Sequence, residues 1–191
     1  DETPVLVNRD GRPAGSKSYM WVYRSGHLYK DKQIVLYDYH KTRNSSHPRE
    51  FLKDYSGICV TDGYQVYHKV EKEREDLRIA GCWVHARRKF DEAMNVVPKE
   101  QRKKSNAYLV MKQIQAIYRE EGKLQELLPD ERLMQRQLVI KPLVDALFVY
   151  LKKMEPTVPS NGHLRKAYTY ILNQEKYLRV FLEDGEVPID N

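Results

Sequence analysis

Long apolar runs, secretion signals and cysteine pairs are all scarce in this sequence. No stretch approaches the roughly eighteen apolar residues that a membrane-spanning helix requires, so no membrane association is expected. No signal-peptide pattern opens the chain. The two cysteines, Cys59 and Cys82, lie in apolar, strand-like runs. That profile is typical of small buried side chains in a reducing compartment rather than of a disulfide framework.

The composition describes a globular chain with a basic surface. Of the 191 residues, 41% are apolar and 31% are charged, which is enough for a core beneath a well-solvated surface. The 33 Lys and Arg residues outnumber the 27 Asp and Glu residues, giving a net charge of +6. This excess favours a polyanionic partner only weakly, because many basic proteins of this size bind no nucleic acid. The chain lacks an initiator methionine, so we interpret it as part of a longer protein.

The first half of the chain is typical of a sheet with helical connections. Strands are predicted at residues 1–7, 18–24, 33–39, 57–62 and 77–83, with helices at 48–55 and 64–74. The first three strands are joined by turn-forming residues, which indicates an antiparallel meander. The later alternation of strand and helix indicates right-handed parallel crossovers. The predicted fold class is therefore α/β, with a mixed five-stranded sheet and helices on its faces.

The second half of the chain has helical periodicity throughout. Apolar residues recur every three or four positions in successive stripes, such as Phe90, Ala93, Met94 and Val97. Prolines at 98, 129, 156 and 159 separate these stripes. We interpret the stripes as core and predict an all-α unit after the sheet.

Acidic residues lie at the ends of two predicted strands. The run 57–64 ends its apolar part on Asp62 and continues directly into Gly63, and Asp1 opens the first strand. If those strands are neighbours, the two carboxylates converge, and such a pair requires a proton or a shared cation. Mg²⁺ is the natural candidate, although Asp-Gly is also a common solvated turn. The strand order is that of a ribonuclease H-like sheet, in which the first and fourth strands are adjacent.

A cluster of basic residues begins the helix after the fifth strand. His85, Arg87, Arg88 and Lys89 lie in its first turns, where positive charge opposes the helix dipole. Phosphate would compensate this charge, because helix starts and Arg both bind it well. The alternative is an ordinary solvated cationic face.

Most of the fourteen tyrosines fall on strand or helix stripes and are expected in the core or at an interface. Tyr64 and Tyr67 follow Asp62 closely, so they are the candidates for stacking on a nucleic acid.

Several of these motifs together resemble one family. They are Asp1-Glu2-Thr3-Pro4, Asp62-Gly63-Tyr64, the run from Gly81 to Phe90 (GCWVHARRKF), Leu172-Asn173-Gln174 and Ile189-Asp190-Asn191. In this order, over essentially the whole chain, they resemble the insertion-sequence-66 family of DDE transposases. The Cys-Trp-x-His-Ala-Arg-Arg-x-Phe run is the specific part of the match.

The resemblance implies a ribonuclease H-like core with two divalent ions, Mg²⁺ or Mn²⁺. It implies that Asp1 and Asp62 are the first and second catalytic carboxylates and metal ligands. Glu2 would point to the opposite face of its strand from Asp1. The third acid of the family is a glutamate just beyond an Asn-Asn pair, and Asn191 is the first position of that pair. We therefore expect residues 1–191 alone to be inactive.

The resemblance also implies a domain organisation and a function. Residues 1–90 would be the catalytic core without its last helix, 91–185 a helical insertion and 186–191 a segment returning to the site. The whole protein would hydrolyse phosphodiesters and transfer strands at transposon ends. It would bind DNA through His85, Arg87, Arg88, Lys89 and Tyr64, and act as a multimer in the bacterial cytoplasm near the nucleoid. The alternatives are another ribonuclease H-like nuclease such as a resolvase, a non-catalytic nucleic-acid-binding or assembly module, and a helical interaction domain.

Overall fold

The computed structural model describes residues 1–8, 10–26 and 33–191 and is of the α/β class. The strands are β1 (Glu2–Leu6), β2 (Lys17–Arg24), β3 (Val35–His40), β4 (Gly57–Thr61) and β5 (Leu77–Gly81). The helices are α1 (Ser46–Phe51), α2 (Gln65–Lys72), α3 (Trp83–Asn95), α4 (Asn106–Gly122), α5 (Pro129–Gln135), α6 (Lys141–Met154), α7 (Gly162–Asn173) and α8 (Glu175–Leu178). A π-helical turn, Arg136–Ile140, joins α5 to α6.

The first three strands form the predicted antiparallel meander. Glu2 of β1 lies opposite Trp21 of β2, and Trp21 lies opposite Asp38 of β3. Trp21 is fully buried, whereas β3 is largely exposed at the edge. This contrast fits a strand pair whose aromatic and β-branched residues cover one side of a core. The predicted turn between β2 and β3 runs into residues 27–32, which lie outside the described part of the chain.

The fourth and fifth strands form a parallel pair connected by α2. Their register runs from Gly57 opposite Leu77 to Thr61 opposite Gly81. The parallel crossover predicted from the sequence is therefore confirmed. One bond extends the pairing beyond the strands, since the Cys82 amide donates to the Thr61 carbonyl at 2.9 Å. This leaves Cys82 extended, and α3 begins directly after it.

The described strands do not show a single five-stranded sheet. The described strands form a three-stranded sheet of order β1-β2-β3 and a separate two-stranded sheet of β4 and β5. No β1–β4 ladder joins them within the described residues. Side chains bridge this seam instead: the Asn191 amide donates to Asp1 at 3.1 Å and to the Val60 carbonyl at 3.5 Å.

Within the described part of the chain, two buried clusters hold the elements together. The smaller unites both sheets and α2, and consists of Trp21, Leu52, Tyr67, Val70, Leu77 and Ile79. The larger lies among the helices of the second half and is centred on residues such as Trp83, Phe90, Ile114, Leu147 and Tyr168. The predicted helical stripes are therefore core, as expected. Among the described residues, no helix is both long and apolar enough to cross a membrane.

A segment after α8 returns the chain to the start of α3. Within it, the Ile189 carbonyl accepts the Trp83 amide at 3.1 Å. Two buried arginines fix its course: Arg132 donates to the Gly185 carbonyl, and Arg136 donates to the carbonyls of Phe181, Asp184 and Val187. Because the backbone of an irregular segment needs hydrogen-bond partners when it is buried, these arginines supply what a sheet or helix would.

Candidate active site

The turn after β4 carries the first candidate residue, Asp62. One of its carboxylate oxygens accepts the Tyr64 amide at 2.8 Å, an arrangement in which an aspartate closes its own turn. Gly63 has a φ of +84°, which favours glycine because it lacks a Cβ. The Asp-Gly pair is therefore a true turn, and it leaves the Asp62 side chain partly exposed at the end of the strand.

Asp1, the second candidate, precedes β1 and is held by two neutral partners. One carboxylate oxygen lies 3.1 Å from Nε2 of His85, and the other accepts the Asn191 amide at 3.1 Å. The side chain is 37% exposed, so solvent and ligands can reach it.

His85 interacts with both acidic candidates: it lies 3.1 Å from the Asp1 carboxylate, and the charge of Asp62 acts on it. Burial lowers the pKa of His85 below its ordinary value, and the nearby charge of Asp62 opposes that shift. The Asn191 amide reaches both Asp1 and the Val60 carbonyl, two residues before Asp62. Asn191 therefore links Asp1 to the end of β4.

Glu2 faces a different environment from Asp1. Its side chain is 2% exposed and forms an ion pair with Arg43, while its second carboxylate oxygen has no hydrogen-bond partner among the described residues. The Arg43 guanidinium also lies 4.0 Å from the centre of the Tyr64 ring. Arg43 thus connects the start of β1 to the turn after β4. The Glu2 carboxylate is buried in its ion pair with Arg43, whereas the Asp1 carboxylate is accessible to solvent.

Among the described residues, neither Asp1 nor Asp62 forms an ion pair with a lysine or arginine. Carboxylates without such a partner are available to a cation, and Mg²⁺ accepts one or two carboxylates with waters filling its remaining positions. Across residues 1–8, 10–26 and 33–191, no group of three or more His, Cys, Asp or Glu side chains forms a metal-binding cluster.

The basic residues of α3 divide between two faces. His85, Arg88 and Lys89 share one face because residues three and four apart are neighbours on a helix. The charges of both Arg88 and Lys89 help to lower the pKa of His85. Arg87 instead lies over the ring of Tyr118 from α4, 5.7 Å from its centre.

Comparison with known proteins identifies the family. A family model described as the Transposase IS66 family matches residues 1–191. The chain belongs to the IS66 transposase family. The resemblance inferred from the motifs is therefore confirmed.

The similar curated proteins are themselves uncharacterised. Protein y4qI of Sinorhizobium fredii is 26% identical over 200 residues, which cover 100% of this chain and 36% of that protein. Protein y4jD of the same organism is 25% identical over 162 residues, covering 82% of this chain and 31% of that protein. The IS66-family chain thus spans about a third of the length of the curated relatives it matches. No solved structure matches it.

Of the two tyrosines expected near nucleic acid, only Tyr64 is available in this IS66-family chain. Tyr67 is 1% exposed and packs in the cluster around Trp21, so its proposed stacking role is wrong. It lies one helical turn into α2, on the side that faces both sheets. Tyr64 caps the start of α2 and stays partly exposed, with the Arg43 guanidinium against its ring.

Three residues beside the candidate site of this IS66-family chain receive no role from the sequence alone. Arg43 lies in a polar loop without any pattern. Tyr170 donates its hydroxyl to the Asp62 carbonyl at 2.5 Å, and Gln174 packs against Gly63. Gln174 belongs to the Leu-Asn-Gln motif of the resemblance, which was the one available signal. Tyr170 falls outside the apolar stripe of its helix.

Proposed function

We propose that this chain forms the catalytic core of a DDE transposase that cuts and joins DNA at transposon ends. The observation that carries the proposal is the arrangement of Asp1 and Asp62 around His85, with no lysine or arginine paired to either acid among the described residues. Within the IS66 family, two accessible aspartates of this kind are best explained as ligands of catalytic metal ions.

The proposal includes a ribonuclease H-like arrangement of all five strands. The order β3-β2-β1 in one sheet and β4-β5 in the other is compatible with it when β1 faces β4. The Asn191 bridge between Asp1 and Val60 and the Arg43 contacts to Glu2 and Tyr64 support that adjacency. We further propose the division into a core (1–90), a helical insertion (91–185) and a return segment (186–191).

In this proposal, Asp1 and Asp62 hold divalent metal, Mg²⁺ or Mn²⁺. When bound, such ions would supply activation of the attacking oxygen and stabilisation of charge on the leaving oxygen of a phosphodiester. His85 and Asn191 orient the Asp1 carboxylate, and the Tyr64 amide orients that of Asp62. Two acids hold two ions poorly, so we propose that residues 1–191 alone have little or no turnover.

DNA is the proposed partner, contacted through its backbone. Arg88 and Lys89 would contact phosphate from the face of α3 that also carries His85, with Arg87 and Tyr64 flanking it. Contacts to phosphate set the register of the strand but carry no sequence information. The whole protein is proposed to assemble as a multimer on transposon ends in the bacterial cytoplasm, near the nucleoid.

Metal binding by residues 1–191 tests the proposal directly. Titration with Mn²⁺, followed by electron paramagnetic resonance of the free ion, should reveal a site that Asp62→Asn weakens at least tenfold, because a neutral amide replaces a charged ligand. Asp130→Asn is the matched control, since it makes the same change at an exposed position on α5.

The same substitution in the longer protein tests the chemistry. Asp62→Asn should abolish strand cleavage at transposon ends with Mg²⁺ or Mn²⁺ while leaving DNA affinity unchanged. Retained cleavage, or Mn²⁺ binding equal to that of the Asp130→Asn control, would remove Asp62 from the site. If the wild-type chain binds DNA but does not bind Mn²⁺, the result would favour a non-catalytic nucleic-acid-binding module.

A further inference from the structure

A helix from the second half of the chain contacts the turn that carries Asp62. The hydroxyl of Tyr170, on α7, donates to the main-chain carbonyl of Asp62 at 2.5 Å across 108 residues of sequence. Helix α7 packs along α3, which follows the second sheet in the chain. The contact therefore joins the helical region to the end of β4, where the candidate ligand lies.

The same turn is enclosed tightly by two side chains of the helical region. A Cβ atom placed on Gly63 would lie 2.9 Å from the Gln174 side chain and 3.1 Å from the Tyr170 hydroxyl oxygen. Gln174 is only 8% exposed. Because Gly63 also has a φ of +84°, the turn combines a backbone conformation that favours glycine with a close approach of neighbours. Little space is left in which the turn could move towards α7.

Asp62 is consequently restrained at both its backbone and its side chain. Its carbonyl is held by Tyr170, and its carboxylate accepts the Tyr64 amide at 2.8 Å. The carbonyl bond fixes the peptide plane that follows Asp62, and the carboxylate bond fixes the side chain over the turn. Together they determine where the carboxylate points.

The Tyr170 hydroxyl remains protonated and can act as the donor. Burial raises the pKa of Tyr170, and the negative charge of Asp62 raises it further. A tyrosine in this state is a fixed neutral donor at physiological pH.

We propose that Tyr170 is a positioning residue for Asp62, through which the helical region controls the geometry of the metal site. This inference rests on the proposed function, in which Asp62 is a metal ligand. Partners that orient a metal ligand typically contribute about 10–100-fold to metal affinity or activity. Tyr170 would act in that way, without touching the metal or the DNA itself.

The Tyr170→Phe variant tests the inference, because it removes one hydroxyl and keeps the ring. Tyr168→Phe is a closely matched control. Tyr168 lies on the same helix, is fully buried and donates its hydroxyl to Asn106 at 2.5 Å, away from the site. Both variants lose one hydrogen bond of the same kind, so both should lower the melting temperature by a similar small amount.

Only the site variant should change metal binding. We expect Tyr170→Phe to weaken Mn²⁺ binding by residues 1–191 about tenfold, and Tyr168→Phe to leave it unchanged. In the longer protein, Tyr170→Phe should lower the rate of strand cleavage with DNA affinity unchanged.

Asp62→Asn, measured in parallel, separates the positioning role of Tyr170 from the proposed metal-binding function. Equal Mn²⁺ affinity in Tyr170→Phe and Tyr168→Phe, with binding lost in Asp62→Asn, would overturn the positioning role alone. Unchanged Mn²⁺ binding in Asp62→Asn would overturn the proposed function and the positioning role with it. A melting temperature for Tyr170→Phe far below that of Tyr168→Phe would point to general loosening and would also overturn a role confined to Asp62.

Discussion

The imidazole of His85 lies 3.1 Å from the carboxylate of Asp1, although 84 residues separate them in the sequence. His85 is in the first turn of α3, and Asp1 precedes β1. Burial lowers the pKa of His85, so the ring is neutral near pH 7. A neutral imidazole that carries its proton on Nε2 can donate to the carboxylate and fix its orientation. Because the ring is uncharged, it does not neutralise the carboxylate as a cation would.

His85→Ala should therefore weaken Mn²⁺ binding by residues 1–191 about tenfold, because Asp1 loses the partner that orients it. His163→Ala is the control, since His163 is exposed at the start of α7. Isothermal titration with Mn²⁺ measures both variants. If both variants bind Mn²⁺ as wild type does, the His85 contact has no role in holding Asp1 for a ligand.

Arg88 should contribute more to DNA binding than Arg87, although both are exposed neighbours in the sequence. Arg88 shares the face of His85, whereas Arg87 lies over Tyr118. The slope of log K against log salt is negative, and each phosphate contact that is lost reduces its magnitude by about 0.9. Fluorescence anisotropy with two unrelated duplexes should give this reduction for Arg88→Gln and a smaller one for Arg87→Gln. Equal slopes in the two variants would contradict the division of α3 into two faces.

The strands and their acidic ends could be predicted because they depend on local sequence. The β-branched run before Asp62 and the Asp-Gly turn specify their structure within a few residues, and β4 ends at Thr61, one residue before its predicted end. The fifth strand was predicted two residues too long. Trp83 already belongs to α3, because its amide finds a carbonyl in the return segment, at Ile189. That partner lies more than a hundred residues away and leaves no local signal.

The seam between the sheets could not be predicted for the same reason. Strand order suggested a continuous ladder, but the contacts across the seam come from single side chains such as Arg43 and Asn191. Tyr170 was also missed, because its position off the apolar stripe of α7 is typical of a surface residue. Only the packing of α7 against α3 brings its hydroxyl to Asp62.

The cluster around Asp10 should make stability depend on acid pH. The Arg12 guanidinium holds the pKa of Asp10 well below its usual range, with bonds from Ser18 and Tyr39 adding to this and burial opposing it. A carboxylate with a lowered folded pKa stabilises the fold above its unfolded pKa of about 3.9, and that contribution is lost as the pH falls towards the folded value. The Asp10 side chain is 7% exposed, so the cluster is well shielded.

Asp10→Asn should consequently lower the melting temperature at pH 7, and its difference from wild type should shrink as the pH falls below about 4. Calorimetric scans from pH 2 to 7 measure this. Asp130→Asn, at an exposed position, should track wild type throughout. A difference for Asp10→Asn that stays constant down to pH 2 would show that the carboxylate charge does not carry the stabilisation.

Arg136 should dominate the stability of residues 181–191, the segment that returns the chain to the start of α3. Its side chain is fully buried, pairs with Glu121 of α4 and donates to three carbonyls between Phe181 and Val187. Arg136→Met keeps much of the volume but leaves a largely buried carboxylate and three carbonyls without their donor. Breaking a buried ion pair by removing one partner costs about 3–5 kcal/mol, so we expect a loss of that size in the free energy of unfolding.

Urea unfolding measures this loss, with Arg119→Met as the matched control on α4. Arg119 is 71% exposed and lies 3.5 Å from Glu120, an arrangement worth about 0–1 kcal/mol. Because the return segment also brings Asn191 to Asp1, Arg136→Met should weaken Mn²⁺ binding at urea concentrations where the variant is still folded. A loss as small as that of Arg119→Met would mean that the segment is held by its apolar residues, Phe181, Val187 and Ile189, rather than by the buried arginine.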